Sequence, residues 1–127
     1  MRPRDSLLEA LLALKALDPR ISVNEVVAFL YTCENPGLSV QELAYVAELT
    51  QSTASRSLRA LGPPDSDWSQ LPALGLVEPF LNPSDGRSHV IHLSPRGREV
   101  RERLDAIIRR AVTISLSESR DVTSSEL

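Results

Sequence analysis

Apolar residues in the first half of the chain recur at intervals of three and four, which is the spacing of amphipathic helices. Three of these stretches begin with a serine that is followed three residues later by a glutamate. This pairing caps the free N–H groups of a first helical turn. The pattern predicts helices over residues 6–17, 22–34 and 39–47. The serine–glutamate pairs are Ser6/Glu9, Ser22/Glu25 and Ser39/Glu42.

A fourth helix is predicted over residues 50–61, with Thr50 as its N-cap. Ala54, Leu58 and Leu61 are spaced at i, i+4 and i+7, so we expect them to face the core. The opposite face is polar, and the segment contains no acidic residue. That face carries Ser52, Ser55, Arg56 and Arg59.

After residue 75 the pattern changes to two short stretches typical of β-strands, over residues 76–81 and 88–93. Between them, a proline, an aspartate and a glycine within residues 82–87 predict a tight turn with Arg87 at its end. Proline has no backbone N–H to donate to a neighbouring strand. We therefore expect Pro79 to place the first strand at a sheet edge.

The two ends of the chain are predicted to form further helices. Ser94-Pro95 is a typical helix start, and an apolar stripe follows it. The helix over residues 6–17 is apolar around more than one face, which indicates burial on two sides. We expect the second side to contact another subunit. The stripe of the last helix consists of Val100, Leu104, Ile107, Ile108, Ala111 and Val112.

A long polar connection, residues 62–74, separates the fourth helix from the first strand. It contains Trp68, the single tryptophan of the chain. This residue either anchors the connection to the body of the domain or lines a small-molecule pocket. Anchoring is the favoured interpretation.

The composition fits one globular domain of 127 residues, 42% of them hydrophobic. The net charge of −3 argues against a protein that coats nucleic acid without sequence preference. It leaves specific DNA binding open, because the location of the charge matters more than its sum. No stretch approaches the roughly 20 apolar residues of a membrane span, and no signal peptide is evident. We expect a soluble, cytoplasmic protein.

The residue types that carry catalysis or bind metals do not form a recognisable set. There is no glycine-rich phosphate loop and no pair of carboxylates in an apolar setting, so we predict neither an enzyme nor a cofactor. His89 and His92 are three residues apart on a strand, which places them on opposite faces and argues against a shared metal. Cys33 is the only cysteine, which excludes an internal disulfide. We interpret it as a core residue, with redox sensing as the less favoured alternative.

Three segments, taken together, carry a family resemblance. The first is Asp85-Gly86-Arg87 followed by Leu93-Ser94-Pro95-Arg96-Gly97. The others are residues 41–44 with 49–56, and residues 74–77. In this order they resemble the MarR family of winged-helix transcriptional regulators, with Ser94 where the family's wing signature has threonine. The resemblance spans residues 21–97, while the connection over residues 62–74 is longer and the terminal helices are shorter than is usual in the family.

The resemblance implies an α+β fold, mainly α, in which a winged helix-turn-helix is flanked by N- and C-terminal dimerisation helices. It implies a dimerisation helix within residues 1–20, a DNA-binding core over 21–97 and a second dimerisation helix within 98–116. Residues 117–127 are polar and are expected to form a disordered tail.

The resemblance further implies a sequence-specific DNA-binding regulator, with a repressor favoured, that binds double-stranded DNA as a homodimer and could respond to a small-molecule effector. The helix over 50–61 would enter the major groove and the wing over 76–93 the minor groove, with half-sites about one helical turn (~34 Å) apart. The residues expected at the DNA are Ser39, Gln41, Thr50, Gln51, Ser52, Thr53, Ser55, Arg56, Arg59, Asp85, Gly86, Arg87 and Ser88.

Two alternatives stay open at this point. Arg87 would either enter a narrow minor groove, with Asp85 holding its side chain, or be a solvated charge on a turn that Asp85 merely helps to form. The whole domain could instead be a winged-helix module for protein interaction without DNA binding, since its net charge is acidic.

Overall fold

The computed structural model describes residues 3–115 of the chain. Within that range the fold is a winged helix-turn-helix, mainly α, so the predicted fold class is confirmed. No helix in the described range is long and apolar enough to cross a membrane. The elements are α1 (Ser6–Leu17), α2 (Val23–Glu34), β1 (Leu38–Ser39), α3 (Val40–Ala47), α4 (Gln51–Ala60), β2 (Val77–Leu81), β3 (His89–Leu93) and α5 (Pro95–Arg109).

Side-chain caps define the helix starts, and two of the three predicted capping boxes are confirmed. The Ser22 hydroxyl accepts a hydrogen bond from the Glu25 N–H at 3.1 Å, and the Glu25 carboxylate accepts one from the Ser22 N–H at 3.0 Å. Ser39 and Glu42 form the same reciprocal pair at the start of α3, at 3.1 and 2.8 Å. Both helices therefore begin where the serine–glutamate spacing predicts.

The predicted cap of α1 is wrong, because Asp5 caps this helix in place of Ser6. The Asp5 carboxylate accepts a hydrogen bond from the Leu8 N–H at 2.7 Å. Ser6 is the first helical residue, and both of its polar groups contact Val112 at the other end of the chain. Its N–H donates to the Val112 carbonyl at 2.8 Å, and its hydroxyl accepts from the Val112 N–H at 3.0 Å.

The three strands form one antiparallel sheet in the order β1-β3-β2. The strands predicted over 76–81 and 88–93 are present within one residue of their expected starts, and β2 with Pro79 lies at an edge as expected. Strand β1 was not predicted. It has only two residues, Leu38 and Ser39, too few to show a hydrophobic alternation, and it exists because they pair with β3.

The core lies between the sheet and the inner faces of the helices. Leu58 and Leu61 of the α4 region are fully buried, as is Ala54, which confirms the face predicted from their spacing. Phe29 of α2 and Ile91 of β3 are fully buried in the same core. The sheet, α2 and α4 are thus held in one packed unit.

Helix α5 ends at Arg109, so its apolar stripe is shorter than predicted. Ala111 has a left-handed backbone with a φ of 54°, which turns the chain out of the helix, and Val112 then pairs with Ser6. Ile108, a member of the predicted stripe, is exposed. The predicted tail over residues 117–127 lies outside the described residues.

Candidate nucleic-acid interface

A tight turn between α3 and α4 sets the direction of the exposed helix. Glu48 caps α3 in the left-handed conformation, with a φ of 56°. The next residue, Leu49, donates its N–H to the Ala44 carbonyl at 2.9 Å. These bonds satisfy the last carbonyls of α3 and let Thr50 begin α4 two residues later.

The N-terminus of α4 is built to attract a negative group. The Thr50 hydroxyl accepts the Thr53 N–H at 3.1 Å and contacts the Thr53 hydroxyl at 2.9 Å. The first turn of the helix contains no acidic side chain. Because a helix N-terminus carries partial positive charge, this end of α4 suits a phosphate.

The side chains predicted on the exposed face of α4 divide into two groups. Gln51, Ser52 and Arg56 are exposed. Thr53 and Ser55 are half-buried, and their hydroxyls bond within the helix. The exposed group is the part of α4 that a ligand can reach directly.

Arg59 is placed differently from the prediction, because it faces the connection over residues 62–74 rather than solvent. Its Nε donates to the Ser55 hydroxyl at 3.1 Å, and one terminal nitrogen donates to the Trp68 carbonyl at 2.8 Å. The guanidinium also lies over the Trp68 ring, 5.3 Å from its centroid. Arg59 therefore has protein partners for its charge, which the sequence pattern gave no means of detecting.

Hydrogen bonds to Asn82 and Asp85 shape the turn between β2 and β3. The N–H of Asn82 donates to the Ser88 carbonyl and the N–H of Gly86 to the Asn82 carbonyl, both at 2.8 Å. The Asp85 carboxylate accepts from the N–H groups of Arg87 at 2.9 Å and Ser88 at 3.1 Å, and from the Ser88 hydroxyl at 2.8 Å. These backbone bonds to Arg87 and Ser88 lower the pKa of Asp85 below its ordinary value.

Asp85 thus organises the turn backbone, which is the second of the two roles considered for it. The structure shows its carboxylate bonded to the Arg87 backbone N–H and not to the Arg87 guanidinium. Gly86 supplies the left-handed conformation that the turn needs, with a φ of 69°. The Arg87 side chain is exposed at the end of this ordered turn.

A groove of about 350 Å³ separates the helix-turn-helix from the wing. It brings together five of the predicted DNA-contacting residues, from β1, α3, α4 and the turn between β2 and β3. Four further residues of the lining were not predicted: Val40, Glu42, Asn82 and His89. The predicted ones are Ser39, Gln41, Gln51, Asp85 and Ser88.

The two histidines lie on opposite faces of β3, as predicted. The His89 ring lies 6.1 Å from the Trp68 ring, and the His92 ring meets Phe80 edge-on at 5.6 Å. Within residues 3–115 no three His, Cys, Asp or Glu side chains come together in a way that could hold a metal.

Cys33 is half-buried on α2 and packs against the core. Burial raises the pKa of its thiol to about 11, although the positive charge of Arg101 opposes the shift. The thiol is therefore protonated at neutral pH, in keeping with the core role preferred from the sequence.

No family model matches this sequence, and no curated protein matches it. Solved structures do match the fold. A MarR family transcriptional regulator from Silicibacter pomeroyi is 28% identical, with a TM-score of 0.55 over 84% of this chain and 66% of that chain. The MepR–DNA complex of S. aureus is 21% identical, with a TM-score of 0.65 over 81% of this chain and 75% of that one.

A further MarR family regulator is 22% identical, with a TM-score of 0.57 over 72% of this chain. The chain spans 54% of that protein's length, so it is considerably shorter than some of the proteins it matches. Together the three likenesses show that the domain has a MarR-type winged-helix fold.

Proposed function

We propose that this chain, which has the fold of the MarR-type regulators, is a sequence-specific DNA-binding transcriptional regulator. The observation that carries the proposal is the groove between the helix-turn-helix and the wing, because the start of α3, the first residue of α4 and the wing turn all line it. The helix start and the wing turn thereby belong to one continuous face, as a major-groove helix and a minor-groove wing require. A neighbour with this fold has been solved bound to DNA.

In this proposal α4 enters the major groove by its N-terminal half. Gln51, Ser52 and Arg56 reach base edges or phosphates, since they are the exposed side chains of that half. Arginine can bond both acceptors of guanine, so Arg56 is the candidate for base discrimination. Ser39, Thr50 and Thr53 contribute indirectly, because their capping hydrogen bonds fix the starts of α3 and α4.

The wing contributes through Arg87. Its side chain is exposed at the end of the ordered turn, and the neighbouring Ser88 lines the groove together with Gln51. An arginine at this place is suited to a narrow minor groove, where the negative potential is strongest. Arg59 does not contact DNA in this proposal, because its charge is held by Trp68 and Ser55.

We also propose that the regulator is a homodimer formed by α1 and α5. The two helices pack on each other, with Arg110 and Glu9 joined at 3.0 Å, yet their outer faces are apolar and exposed. A second copy of the chain would cover this face, since a continuous apolar patch of this kind is unusual on a monomer. The exposed residues are Leu7, Leu8, Leu11, Leu12, Ile108 and Ile114.

Repression is the expected outcome of such binding, because a dimer seated on two adjacent half-sites excludes other proteins from the same DNA. The decisive experiment is to select bound duplexes from a pool of random DNA sequences. The affinity for the most enriched sequence is then measured as the salt concentration is varied. We expect a palindromic site and a slope of log K against log salt on the order of −4 to −8. Arg56→Ala and Arg87→Ala should each weaken binding while leaving the circular dichroism spectrum unchanged.

A protein-interaction module is the second candidate, and one observation favours it. The groove lining includes two carboxylates, Glu42 and Asp85, which oppose the approach of phosphates. Tyr45 and Leu81 are also exposed nearby, on α3 and at the end of β2. If the pool yields no enriched sequence and no complex forms even at low salt, this second function replaces the first.

A further inference from the structure

The connection between α4 and β2 returns onto the helix that it leaves. The N–H groups of Gln70, Leu74 and Leu76 donate at 2.9, 3.0 and 2.8 Å to carbonyl oxygens in the last turn of α4 and the residue after it. The last carbonyls of a helix lack the usual partner four residues on, so the connection completes the C-terminal end of α4. The Arg59 carbonyl also accepts the Gly62 N–H at 3.1 Å. The carbonyls belong to Arg59, Ala60 and Leu61.

This backbone attachment holds only one end of the wing. Leu61 also accepts the N–H of Val77 at 3.0 Å, and Val77 is the first residue of β2. Arg87 lies beyond the other end of the ladder, whose last pair is Leu81 with His89. Four residues of strand separate the two ends, roughly 13 Å at about 3.3 Å per residue. Strand β1 supports β3 as far as Val90, which pairs with Ser39. Among the described residues, the part of the hairpin beyond Val90 has no further strand beside it.

Trp68 contacts the wing at that far end. Its ring lies 6.1 Å from the ring of His89, at an angle of 53°. His89 pairs with Leu81 immediately before the turn that presents Arg87. Trp68 thus touches the wing at the last ladder pair rather than at its base.

The other faces of Trp68 are fixed to α4 and its end. The Arg59 guanidinium lies over the ring, and the Trp68 carbonyl accepts one of its N–H groups. Gly62 lies directly beneath the ring, since a β-carbon there would be 2.8 Å from Trp68 Cζ3. The Trp68 ring thus packs against both Arg59 and Gly62 at the end of α4.

We propose that Trp68 is a positioning residue that fixes the wing tip relative to the recognition helix α4. It stands between Arg59 of α4 and His89 of β3, so the separation of the two DNA-contacting elements depends on it. In the proposed function this separation sets which base steps the wing meets once α4 is seated, and the inference rests on that function for its consequence at DNA. The tip position itself is a property of the free protein.

The first test needs no DNA and measures amide hydrogen exchange by NMR in the full chain. Trp68→Leu should speed the exchange of the Asn82 N–H, at the tip, by about three- to tenfold, the equivalent of one lost aromatic contact. The Ser94 N–H, bonded to Leu76 at the base of the wing, should be unaffected. Equal acceleration at both sites, or none at Asn82, would overturn the proposal, because a merely structural tryptophan protects the domain as a whole.

Matched variants sharpen this test. Leu71→Ala alters a side chain of the same connection that is 86% exposed, and it should leave both exchange rates unchanged. Trp68→Phe keeps an aromatic ring against His89 and should restore most of the protection. If Trp68→Leu does not fold, His89→Ala removes only the wing side of the contact and should give the same pattern of exchange at Asn82 and Ser94.

The second test is a double-mutant cycle on the selected DNA duplex. Trp68→Leu should weaken binding roughly three- to tenfold and should remove most of the further effect of Arg87→Ala, because a loose tip no longer places the arginine. Its effect should be independent of that of Arg56→Ala. Independent effects with both arginines would overturn the proposal. If the parent protein does not bind DNA, the proposed function fails, and the exchange measurements still decide whether Trp68 holds the wing.

Discussion

Gly97 in the first turn of α5 lies directly against the carbonyl oxygen of Leu76. A β-carbon at position 97 would overlap that oxygen and would stand 3.0 Å from the carbonyl carbon. The same oxygen accepts the N–H of Ser94 at 3.0 Å, so it cannot withdraw without losing the bond that ties α5 to the start of the wing. The glycine that closes the Leu93-to-Gly97 segment is therefore required by a backbone contact.

We expect Gly97→Ala to lower the free energy of unfolding by about 3 kcal/mol, the upper end of the usual cost of overpacking. The new β-carbon and the Leu76 carbonyl oxygen would collide, and both are attached directly to the backbone, so neither can move aside by a side-chain rotation. Gly86→Ala is the matched control in the same wing. Its site has open space around it and only a φ of 69° to oppose a side chain, so we expect a loss of about 1 kcal/mol. Urea denaturation of the two variants measures both values, and equal losses would contradict the contact argument.

The proposed dimer makes a second prediction. Leu11 is 49% exposed and Ile108 58% exposed on the joined outer face of α1 and α5. Leu11→Glu or Ile108→Glu should convert a dimer into a monomer at micromolar concentration, because a charge cannot be buried unpaired in the apolar interface. Light scattering reports the mass, and circular dichroism reports whether the helices persist.

Val23→Glu is the control for this pair, since Val23 is 78% exposed at the start of α2, outside the two helices of the proposed interface. It should leave the mass unchanged. A parent protein that already has the mass of a monomer would show that the exposed apolar residues of α1 and α5 have some other occupant.

The Cys33 thiol should react slowly in the folded protein. Its pKa of about 11 leaves very little thiolate at pH 7.5, so alkylation should be roughly 100-fold slower than that of an ordinary thiol. The rate should rise with pH up to about 11, and it should reach the ordinary value in guanidinium, where the burial that raises the pKa is lost. Peroxide should leave DNA binding intact. Fast alkylation of the native protein at neutral pH would instead revive the redox-sensor interpretation.

The elements of this fold were largely predictable from local signals. The Ser22 and Ser39 capping boxes and the Pro79 edge strand depend on residues close in sequence, and the structure confirms them. The errors lie where distant parts of the chain meet. The Val112 backbone forms hydrogen bonds with Ser6 instead of continuing the last helix. Strand β1 exists only because it pairs with β3.

The candidate site shows the same division. The exposure of Arg56 and Arg87 follows from local position on a helix and a turn, and it was predictable. The partial burial of Arg59 was not predictable, because helical periodicity cannot reveal that the connection folds back and places Trp68 over the guanidinium. Likewise, the two-residue spacing of Asp85 and Arg87 does not tell whether the carboxylate bonds the guanidinium or the backbone.

Asp85 offers a prediction about pH. Its bonds to the Arg87 and Ser88 N–H groups lower the pKa of the carboxyl in the folded turn. The stability that the ionised carboxylate contributes is therefore fully present above the unfolded pKa of 3.8, and it is lost as pH falls through the lower folded pKa. NMR shifts of the Arg87 and Ser88 amides should therefore titrate together with a midpoint below 3.8. The Ser94 amide at the wing base should not follow them, and a midpoint above 3.8 would mean that the carboxylate is not bonded in solution.

The two exposed arginines should have separable effects on DNA recognition. Arg56→Ala removes a major-groove contact, and if that contact is bidentate to guanine it provides roughly 1–3 kcal/mol of discrimination. The duplexes that this variant selects from a random pool should no longer show a preferred base at one position, which recurs symmetrically in each half-site. Arg87→Ala removes a contact whose strength depends on groove width, so the core sequence should persist while the preference for A·T-rich flanks declines.

Lysine at each position separates charge from shape. Arg87→Lys should retain much of the affinity, because the negative potential of a narrow groove also attracts the lysine ammonium group. This attraction should be weaker than that of the guanidinium. Arg56→Lys should retain the salt dependence but lose discrimination to the extent that the planar fork of the guanidinium is used. If both alanine variants bind the selected site as tightly as the parent and remain folded, the arginines are solvated charges. DNA recognition would then rest on other residues of the exposed face, and the roles proposed for Arg56 and Arg87 would be wrong.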